Sequence, residues 1–178
     1  MKRITTLSFF MLFCWITAFA IPRAEYPRPQ FESNAWINLN GEWTYSFDFG
    51  GSGLEREWFK STGFDQKIIV PFCPESKLSG VEYKDFINHM WYHRTISIPQ
   101  DWANKQVLLN FGAVYYKSEI YIDGVFAARH FGGTSSFQVD ITPYVKAGQT
   151  HNLVVYVESD VRSTHQPSGK QNLQFASY

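Results

Sequence analysis

The sequence predicts an all-β domain, a jelly-roll sandwich of two sheets, and three observations favour that fold. The chain contains 16 Phe, 10 Tyr and 6 Trp, or 18% aromatic residues, which lose side-chain freedom in helices and suit the pleated surface of a sheet. Several segments alternate apolar and polar residues with the period of a strand. No segment carries a sustained 3.6-residue repeat, and no period of about 20 to 50 residues recurs. An immunoglobulin-like sandwich is the alternative architecture.

The clearest strand is predicted at residues 42–49, where aromatic and polar residues alternate. Asp123 and Gly124 lie between two apolar segments, and both residue types adopt positive φ in tight turns, so we expect a β-hairpin there. Strands are predicted at residues 42–49, 67–70, 91–98, 107–112, 118–123, 125–131, 137–139 and 152–158.

Residues 1–20 are predicted to form a cleaved signal peptide. Lys2 and Arg3 precede an apolar stretch at 7–19, and Ala18 and Ala20 place small side chains at the positions that a signal peptidase reads. The apolar stretch is shorter than the ~20 residues of a membrane span, which makes a membrane anchor the weaker alternative. We therefore expect an exported protein, periplasmic or extracellular, with no membrane association after cleavage.

The rest of the chain is divided into a leader at 21–35, where three prolines oppose regular structure, and a folded domain at 36–178. Cleavage of the signal peptide would leave Cys73 as the single remaining cysteine of the two in the sequence. No intrachain disulfide is then expected, and Cys73 is interpreted as a small buried apolar residue.

The composition argues against several function classes. The 16 Lys and Arg balance the 16 Asp and Glu, and no basic run occurs, so nucleic acid is not expected as a partner. His89 and His93 lie four positions apart, but on a strand that spacing covers about 13 Å, too far for both to bind one metal ion. The sequence contains no dinucleotide-binding glycine pattern and no G-x-S-x-G nucleophile motif. We expect neither a metal nor a cofactor.

Glu158 and Asp160 are candidate acid/base carboxylates because they lie two positions apart at the end of a predicted strand, about 6.6 Å along the chain. Glycoside hydrolysis uses two carboxylates at such a separation, but only in an enclosed site that raises the pKa of one of them. We therefore favour the interpretation that this pair is solvated and not catalytic.

Loop aromatics and the polar segment 160–172 are the features that suit a sugar ligand. The C–H faces of sugars pack on aromatic rings, and their hydroxyls bind polar side chains. The loop aromatics concerned are Trp58, Trp102, Tyr115 and Tyr116. Other aromatics are assigned to the core, namely Trp43, Tyr45, Phe47 and Trp91.

Six short segments, in this order and spacing, carry a family resemblance. They are Leu39-Asn40-Gly41-Glu42-Trp43, Ile69-Val70-Pro71-Phe72, Trp91-Tyr92-His93-Arg94, Phe111-Gly112-Ala113-Val114, Gly132-Gly133-Thr134-Ser135-Ser136-Phe137 and Asp140-Ile141-Thr142. Through them, residues 36–160 resemble the N-terminal sugar-binding domain of glycoside hydrolase family 2, the family of β-galactosidases, β-glucuronidases and β-mannosidases. From the residues alone, most of these segments are interpreted as turns and caps.

The resemblance implies a galactose-binding-like jelly roll that helps to frame the substrate pocket of a glycosidase. In the family, an immunoglobulin-like domain and a catalytic (β/α)₈ barrel follow this domain, and the barrel carries the catalytic glutamates. The resemblance therefore implies that this chain contains no catalytic residue and is inactive by itself. The implied partner is carbohydrate, either a β-glycoside or an oligosaccharide derived from a polysaccharide.

Asp160 is the one binding residue that the resemblance assigns. It sits where galactosidases of the family place an aspartate that contacts sugar hydroxyls, and an ionised carboxylate accepts strong hydrogen bonds. The resemblance also implies that the last strand of the domain lies beyond Tyr178, so the chain is interpreted as a fragment. A free-standing carbohydrate-binding or adhesion module is the alternative function.

Overall fold

The structure is a computed structural model that describes residues 21–27, 33–160, 162–163 and 166. The predicted signal peptide lies outside these residues. The described strands are β1 (Gly41–Phe47), β2 (Gln66–Val70), β3 (His89–Ser97), β4 (Leu108–Phe111), β5 (Lys117–Ile122), β6 (Val125–Phe131), β7 (Phe137–Asp140) and β8 (Thr150–Glu158). Short 3₁₀ turns occupy Trp58–Lys60, Lys77–Ser79, Gln100–Trp102 and Thr142–Tyr144. No helix in the described part of the chain has the length and apolar character needed to cross a membrane.

The strands form two antiparallel sheets. The large sheet has the order β2-β1-β3-β8-β5-β6, and β4 pairs with β7 in the small sheet. Strand β8 lies at the centre of the large sheet, where it pairs with β3 on one side and with β5 on the other. The prediction of an all-β fold with two sheets is confirmed.

Every predicted strand is present, with boundaries that differ by at most two residues. Strand β1 ends at Phe47 and not at Phe49, because the buried Asp48 carboxylate accepts hydrogen bonds from the backbone N–H groups of Ser52 and Gly53 at 2.9 and 2.8 Å. These bonds turn the chain away from the sheet immediately after β1.

The large sheet is covered on both faces. Its inner face packs against β4 and β7, with Ile120 and Leu153 fully buried between the layers. Its outer face carries Trp91 and Tyr156, which are covered by side chains of the segment between β1 and β2. A strand that is buried on both faces does not need to alternate apolar and polar residues. This explains the continuous apolar run at residues 153–157 of β8. The covering side chains are Trp58, Phe59 and Phe64.

The first and third of the six motif segments contact each other. The Arg94 guanidinium donates to the backbone carbonyls of Leu39, Asn40 and Glu42 at 2.9, 3.3 and 3.2 Å. The Trp43 indole N–H also donates to the Leu39 carbonyl, at 2.7 Å. The first and third segments of the family pattern therefore form one contact, which fixes the chain as it enters β1.

The later motif segments also have a structural role. The Asp140 carboxylate accepts from the Thr142 N–H at 2.9 Å, and the Thr142 hydroxyl accepts from the Val107 N–H at 2.8 Å. At Gly133, a Cβ atom would lie 1.8 Å from a ring carbon of Tyr115. Only glycine allows the backbone to approach that ring so closely.

The prediction that Cys73 is buried is wrong, because the residue is exposed. It follows the end of β2 at Val70 and opens a turn in which the Ser76 N–H donates to the Cys73 carbonyl at 3.0 Å. A side chain in this turn lies on neither face of a sheet, and it therefore remains at the surface.

The hairpin predicted at Asp123 and Gly124 is confirmed. Both residues have positive φ, 49° and 80° respectively. The Asp123 carboxylate also accepts from the Asn152 N–H at 2.7 Å and lies 2.6 Å from Nδ1 of His151. The hairpin between β5 and β6 is thereby tied to the start of β8.

Replacing Gly124 by alanine should destabilise the domain for two reasons. The alanine backbone would have to keep a positive φ, and its Cβ atom would lie 3.0 Å from Cγ of Lys60. We expect the free energy of unfolding, measured by urea denaturation, to fall by about 1 to 2 kcal/mol. The matched control is Gly112→Ala, where an added Cβ would meet no atom within 4 Å. Equal losses in the two variants would contradict this account of the hairpin.

Candidate functional site

The end of the large sheet at which β8 finishes brings together the candidate sugar-binding residues. Glu158 is the last residue of β8, and it pairs with His89 at the start of β3 and with Lys117 at the start of β5. Lys117 in turn pairs with Phe131, the last residue of β6. Four strands therefore begin or end beside the loop that carries Asp160.

Asp160 is held by hydrogen bonds within this loop. Its carboxylate oxygen Oδ1 accepts from the Arg162 N–H at 3.0 Å, and its own N–H donates to the side-chain oxygen of Gln166 at 3.1 Å. The Ser159 N–H donates to the Asn88 carbonyl at 2.8 Å, which fixes the loop to the start of β3. Asp160 is partly exposed, and an ionised carboxylate has about four acceptor sites, so it can bind further hydroxyl donors.

Arg162 anchors the same loop from its other side. Its guanidinium carbon lies 4.8 Å from the centroid of the Phe86 ring, an arrangement typical of a cation–π contact. This contact brings the Asp160 loop against the segment that leads into β3.

Glu158 and Asp160 have separate hydrogen-bonding partners. The Glu158 carboxylate forms an ion pair with Lys117 at 2.7 Å and accepts from the Tyr156 hydroxyl at 3.4 Å. Asp160 lies beyond the end of β8, in the loop. The interpretation that this pair is not catalytic stays a prediction.

A buried carboxylate network lies next to Glu158 on the outer face of the sheet. Glu119 has a side chain that is 4% exposed and forms ion pairs with Arg129 at 2.8 Å and with Lys117 at 3.5 Å. The Tyr121 hydroxyl donates to the same carboxylate at 2.6 Å. Burial by itself raises the pKa of Glu119, but the Tyr121 hydroxyl and the two cations outweigh it, so the pKa lies below its ordinary value.

The sequence analysis missed this network, although a signal for it is present. Lys117, Glu119 and Tyr121 alternate along β5 and therefore point to one face of the sheet. On the same face, Nδ1 of His89 lies 2.7 Å from the Tyr156 hydroxyl, and the two rings are stacked. Burial, followed by the nearby carboxylates of Glu158 and others, raises the pKa of Tyr156.

The four loop aromatics proposed for sugar binding fall into two groups. Trp58 covers the outer face of the large sheet, where it packs against Trp91, and Trp102 packs against the main core. Tyr116 lies at the Asp160 end of the sheet, where its N–H donates to the Glu158 carbonyl at 3.3 Å, and Tyr115 precedes it. Two of the four are therefore beside Asp160, and two stabilise the fold.

The two histidines of β3 have separate partners. Nε2 of His93 lies 3.0 Å from Oδ1 of Asn152, and its Nδ1 lies 3.3 Å from the Thr44 hydroxyl. Among the residues that the structure describes, no group of three or more His, Cys, Asp or Glu side chains is arranged to hold a metal ion.

A separate cleft of about 310 Å³ opens at the β2 edge of the large sheet, three strands away from β8. Trp58, Phe64 and Gln66 are among its lining residues. Asp160 and the two tyrosines do not line it. The sheet end and this edge cleft are therefore distinct surfaces.

Comparison with known proteins identifies the family. The model of the family "Glycosyl hydrolases family 2, sugar binding domain" matches residues 77–168, which is more than half of the chain. The chain therefore belongs to this family. The matched segment includes β3 to β8 and Asp160.

The related proteins are much longer than this chain. A β-glucuronidase of Felis catus is 29% identical over 133 residues, which cover 69% of this chain and 20% of the cat protein. A β-galactosidase of Thermoanaerobacter pseudethanolicus is 27% identical over 146 residues, 75% of this chain and 18% of that protein. The chain thus spans about a fifth of the length of the curated relatives it matches.

Solved structures show the same similarity. A β-glucuronidase from Ruminococcus gnavus in complex with D-glucaro 1,5-lactone superimposes with a TM-score of 0.62 at 26% identity, over 74% of this chain and 23% of that one. The same enzyme in complex with D-glucuronic acid gives a TM-score of 0.58 over 68% of this chain and 21% of that one.

The buried network gives a prediction for Glu119→Gln. Because the pKa of Glu119 lies below its ordinary value of 4.5, its contribution to stability is present above about pH 4.5 and is lost as the pH falls through the lowered pKa. We expect the variant to lose about 1 to 3 kcal/mol of unfolding free energy at pH 7, and the difference from wild type to shrink at acidic pH.

Urea denaturation at several pH values measures this difference, and Glu55→Gln is the control because Glu55 is exposed. A loss in Glu119→Gln that does not change between pH 7 and pH 3 would show that the charge of Glu119 is not what stabilises the network.

Proposed function

We propose that this domain frames the sugar-binding pocket of a β-glycosidase and that Asp160 contacts the hydroxyls of the bound sugar. The observation that carries the proposal is the position of Asp160, which a hydrogen-bonded loop presents at the end of the central strand of a family 2 sugar-binding domain. A partly exposed carboxylate that is fixed in place can accept charge-assisted hydrogen bonds from hydroxyls without first ordering its own backbone.

The proposal assigns no catalytic step to this chain. Its ligand is a β-glycoside or an oligosaccharide derived from a polysaccharide, and its architecture is a galactose-binding-like jelly roll. Hydrolysis requires two carboxylates in an enclosed site, and these are supplied by a catalytic barrel that works with the domain, together with an immunoglobulin-like domain. The DNA downstream of the coding sequence is the direct place to look for that barrel. A sequence without one would favour a free-standing carbohydrate-binding module.

Asp160→Asn should weaken catalysis when the domain is joined to a family 2 barrel. Asparagine keeps the shape of the side chain but loses its charge, and a hydrogen bond to a charged group contributes about 1.5 to 3 kcal/mol. We expect kcat/KM for a chromogenic β-galactoside, β-glucuronide or β-mannoside substrate to fall about ten- to a hundredfold.

The matched control is Asp65→Asn, because Asp65 is exposed and lies in the cleft at the β2 edge of the large sheet, three strands away from β8. The chain without a barrel should hydrolyse none of the three substrates. Turnover by the chain alone, or an equal loss in both aspartate variants, would refute the assignment of Asp160.

We also propose that the protein is exported after cleavage of residues 1–20. The charged start, the apolar stretch and the small residues at positions 18 and 20 support this proposal. N-terminal sequencing of the exported protein should give Ile21 as the first residue. Recovery of the chain with Met1 intact from a membrane fraction would contradict it.

A further inference from the structure

A second group of aromatic side chains lies at the same end of the large sheet as Asp160. Phe47, Phe49 and Tyr83 contact one another, with ring centroids 4.8 Å apart for Phe47 and Tyr83, 5.3 Å for Phe47 and Phe49, and 5.9 Å for Phe49 and Tyr83. Phe47 packs on the main core. Phe49 is 63% exposed. These three residues, the aromatic platform, are therefore anchored on one side and open to solvent on the other.

The backbone that carries the platform is fixed. Asp48, between the two phenylalanines, is 4% exposed, and its carboxylate accepts from the Trp91 indole N–H at 3.1 Å as well as from two backbone N–H groups. The Tyr83 N–H donates to the Pro74 carbonyl at 3.0 Å. The exposure of Phe49 is thus a property of an ordered turn, and a large aromatic ring held open in this way is typical of a binding surface.

The strand register places the platform beside the Asp160 loop. Phe47 pairs with Met90, and Met90 pairs with Val157, so the end of β1 and the end of β8 are separated by two strand spacings, about 10 Å. The contact between Arg162 and Phe86 holds the Asp160 loop against the segment that carries Tyr83, because Phe86 lies three residues after Tyr83. A sugar chain with one ring at Asp160 can therefore extend across β3 to the platform.

We propose that the aromatic platform is a subsite for a further ring of a neutral, β-linked oligosaccharide whose terminal ring contacts Asp160. This inference rests on the proposed function of Asp160. The ring faces of Phe49 and Tyr83 suit the C–H face of a sugar. The ligand is neutral because Asp160 and Glu158 are acidic and both nearby cations already have partners. Lys117 is paired with Glu158 at 2.7 Å, and the Arg162 guanidinium lies 4.8 Å from the centroid of the Phe86 ring.

The test is calorimetric titration of the chain with β-1,4-galactohexaose, cellohexaose, β-1,4-galactobiose and a galacturonic acid hexamer. We expect at least one neutral hexamer to bind at least about tenfold more tightly than galactobiose, because only the longer chain reaches the platform. In Phe49→Ala and in Tyr83→Ala, affinity for that hexamer should fall at least about fivefold. Phe126→Ala is the matched control, since Phe126 is 47% exposed but lies near the start of β6, at the end of the large sheet away from Asp160. The affinity of the Phe126→Ala variant for the hexamer should not change.

The inference is overturned if no hexamer binds, if the galacturonic acid hexamer binds more tightly than the neutral ones, or if Phe126→Ala loses as much affinity as Phe49→Ala. It is also overturned if Phe49→Ala binds normally but shifts the chain from dimer to monomer in sedimentation, which would identify the platform as an interface between copies. Asp160→Asn separates the two proposals. If Asp160→Asn loses affinity for the hexamer and Phe49→Ala does not, the proposed function of Asp160 is supported and the subsite is refuted. If Phe49→Ala loses affinity and Asp160→Asn does not, the assignment of Asp160 is refuted.

Discussion

The pairing of β8 with both β3 and β5 is the constraint on which the rest of the structure depends. Nine residues of β8 pair with β3, from Thr150 to Glu158, and six of them also pair with β5. Leu153 and Val154 on this strand have no exposed surface, although they point to opposite faces of the sheet. Both hydrophobic clusters contain residues of β8, so the two layers that cover the sheet pack on the same strand.

The position of the proposed sugar-binding region follows from that constraint. Because β8 is held on both sides until Glu158, the chain leaves the sheet at a defined point, and Asp160 emerges beside the starts of β3 and β5. The ion pairs of Lys117 and Arg129 with Glu119 then stabilise the outer face next to this exit. The fold thus supplies a rigid frame, and the chemistry of recognition is left to side chains at its edge.

The sequence predicts the strands well because alternation and turn residues are local signals. The alternation around Trp43 and the Asp123-Gly124 turn each require only neighbouring residues to be recognised. Local patterns do not predict which side chains cover the outer face of the large sheet. Trp58 and Phe64 lie far from Trp91 in the sequence and reach it only after the chain has folded back over the sheet. The exposure of Cys73 is missed for a related reason, since it depends on the turn that the chain makes after β2, in which the Ser76 N–H donates to the Cys73 carbonyl.

The candidate site is predictable to a smaller extent than the strands. The sequence identifies Asp160 through a family resemblance, and Tyr115 and Tyr116 through their aromatic character. It does not identify the aromatic platform, because Phe49 belongs to the alternating pattern of β1 and is therefore assigned to the strand until the buried carboxylate of Asp48 is seen to turn the chain. Contacts between distant segments decide which aromatic residues are core and which are surface.

The most direct measurement of the central claim is an amide chemical-shift map of the chain titrated with β-1,4-galactohexaose. If the end of the large sheet is the sugar-binding surface, the amide resonances of Phe49, Ser159, Asp160 and Arg162 should shift together and saturate with one affinity. Shifts confined to the edge cleft lined by Trp58, Phe64 and Gln66 would contradict the account, because they would place the sugar at the β2 edge of the sheet and not at the Asp160 loop.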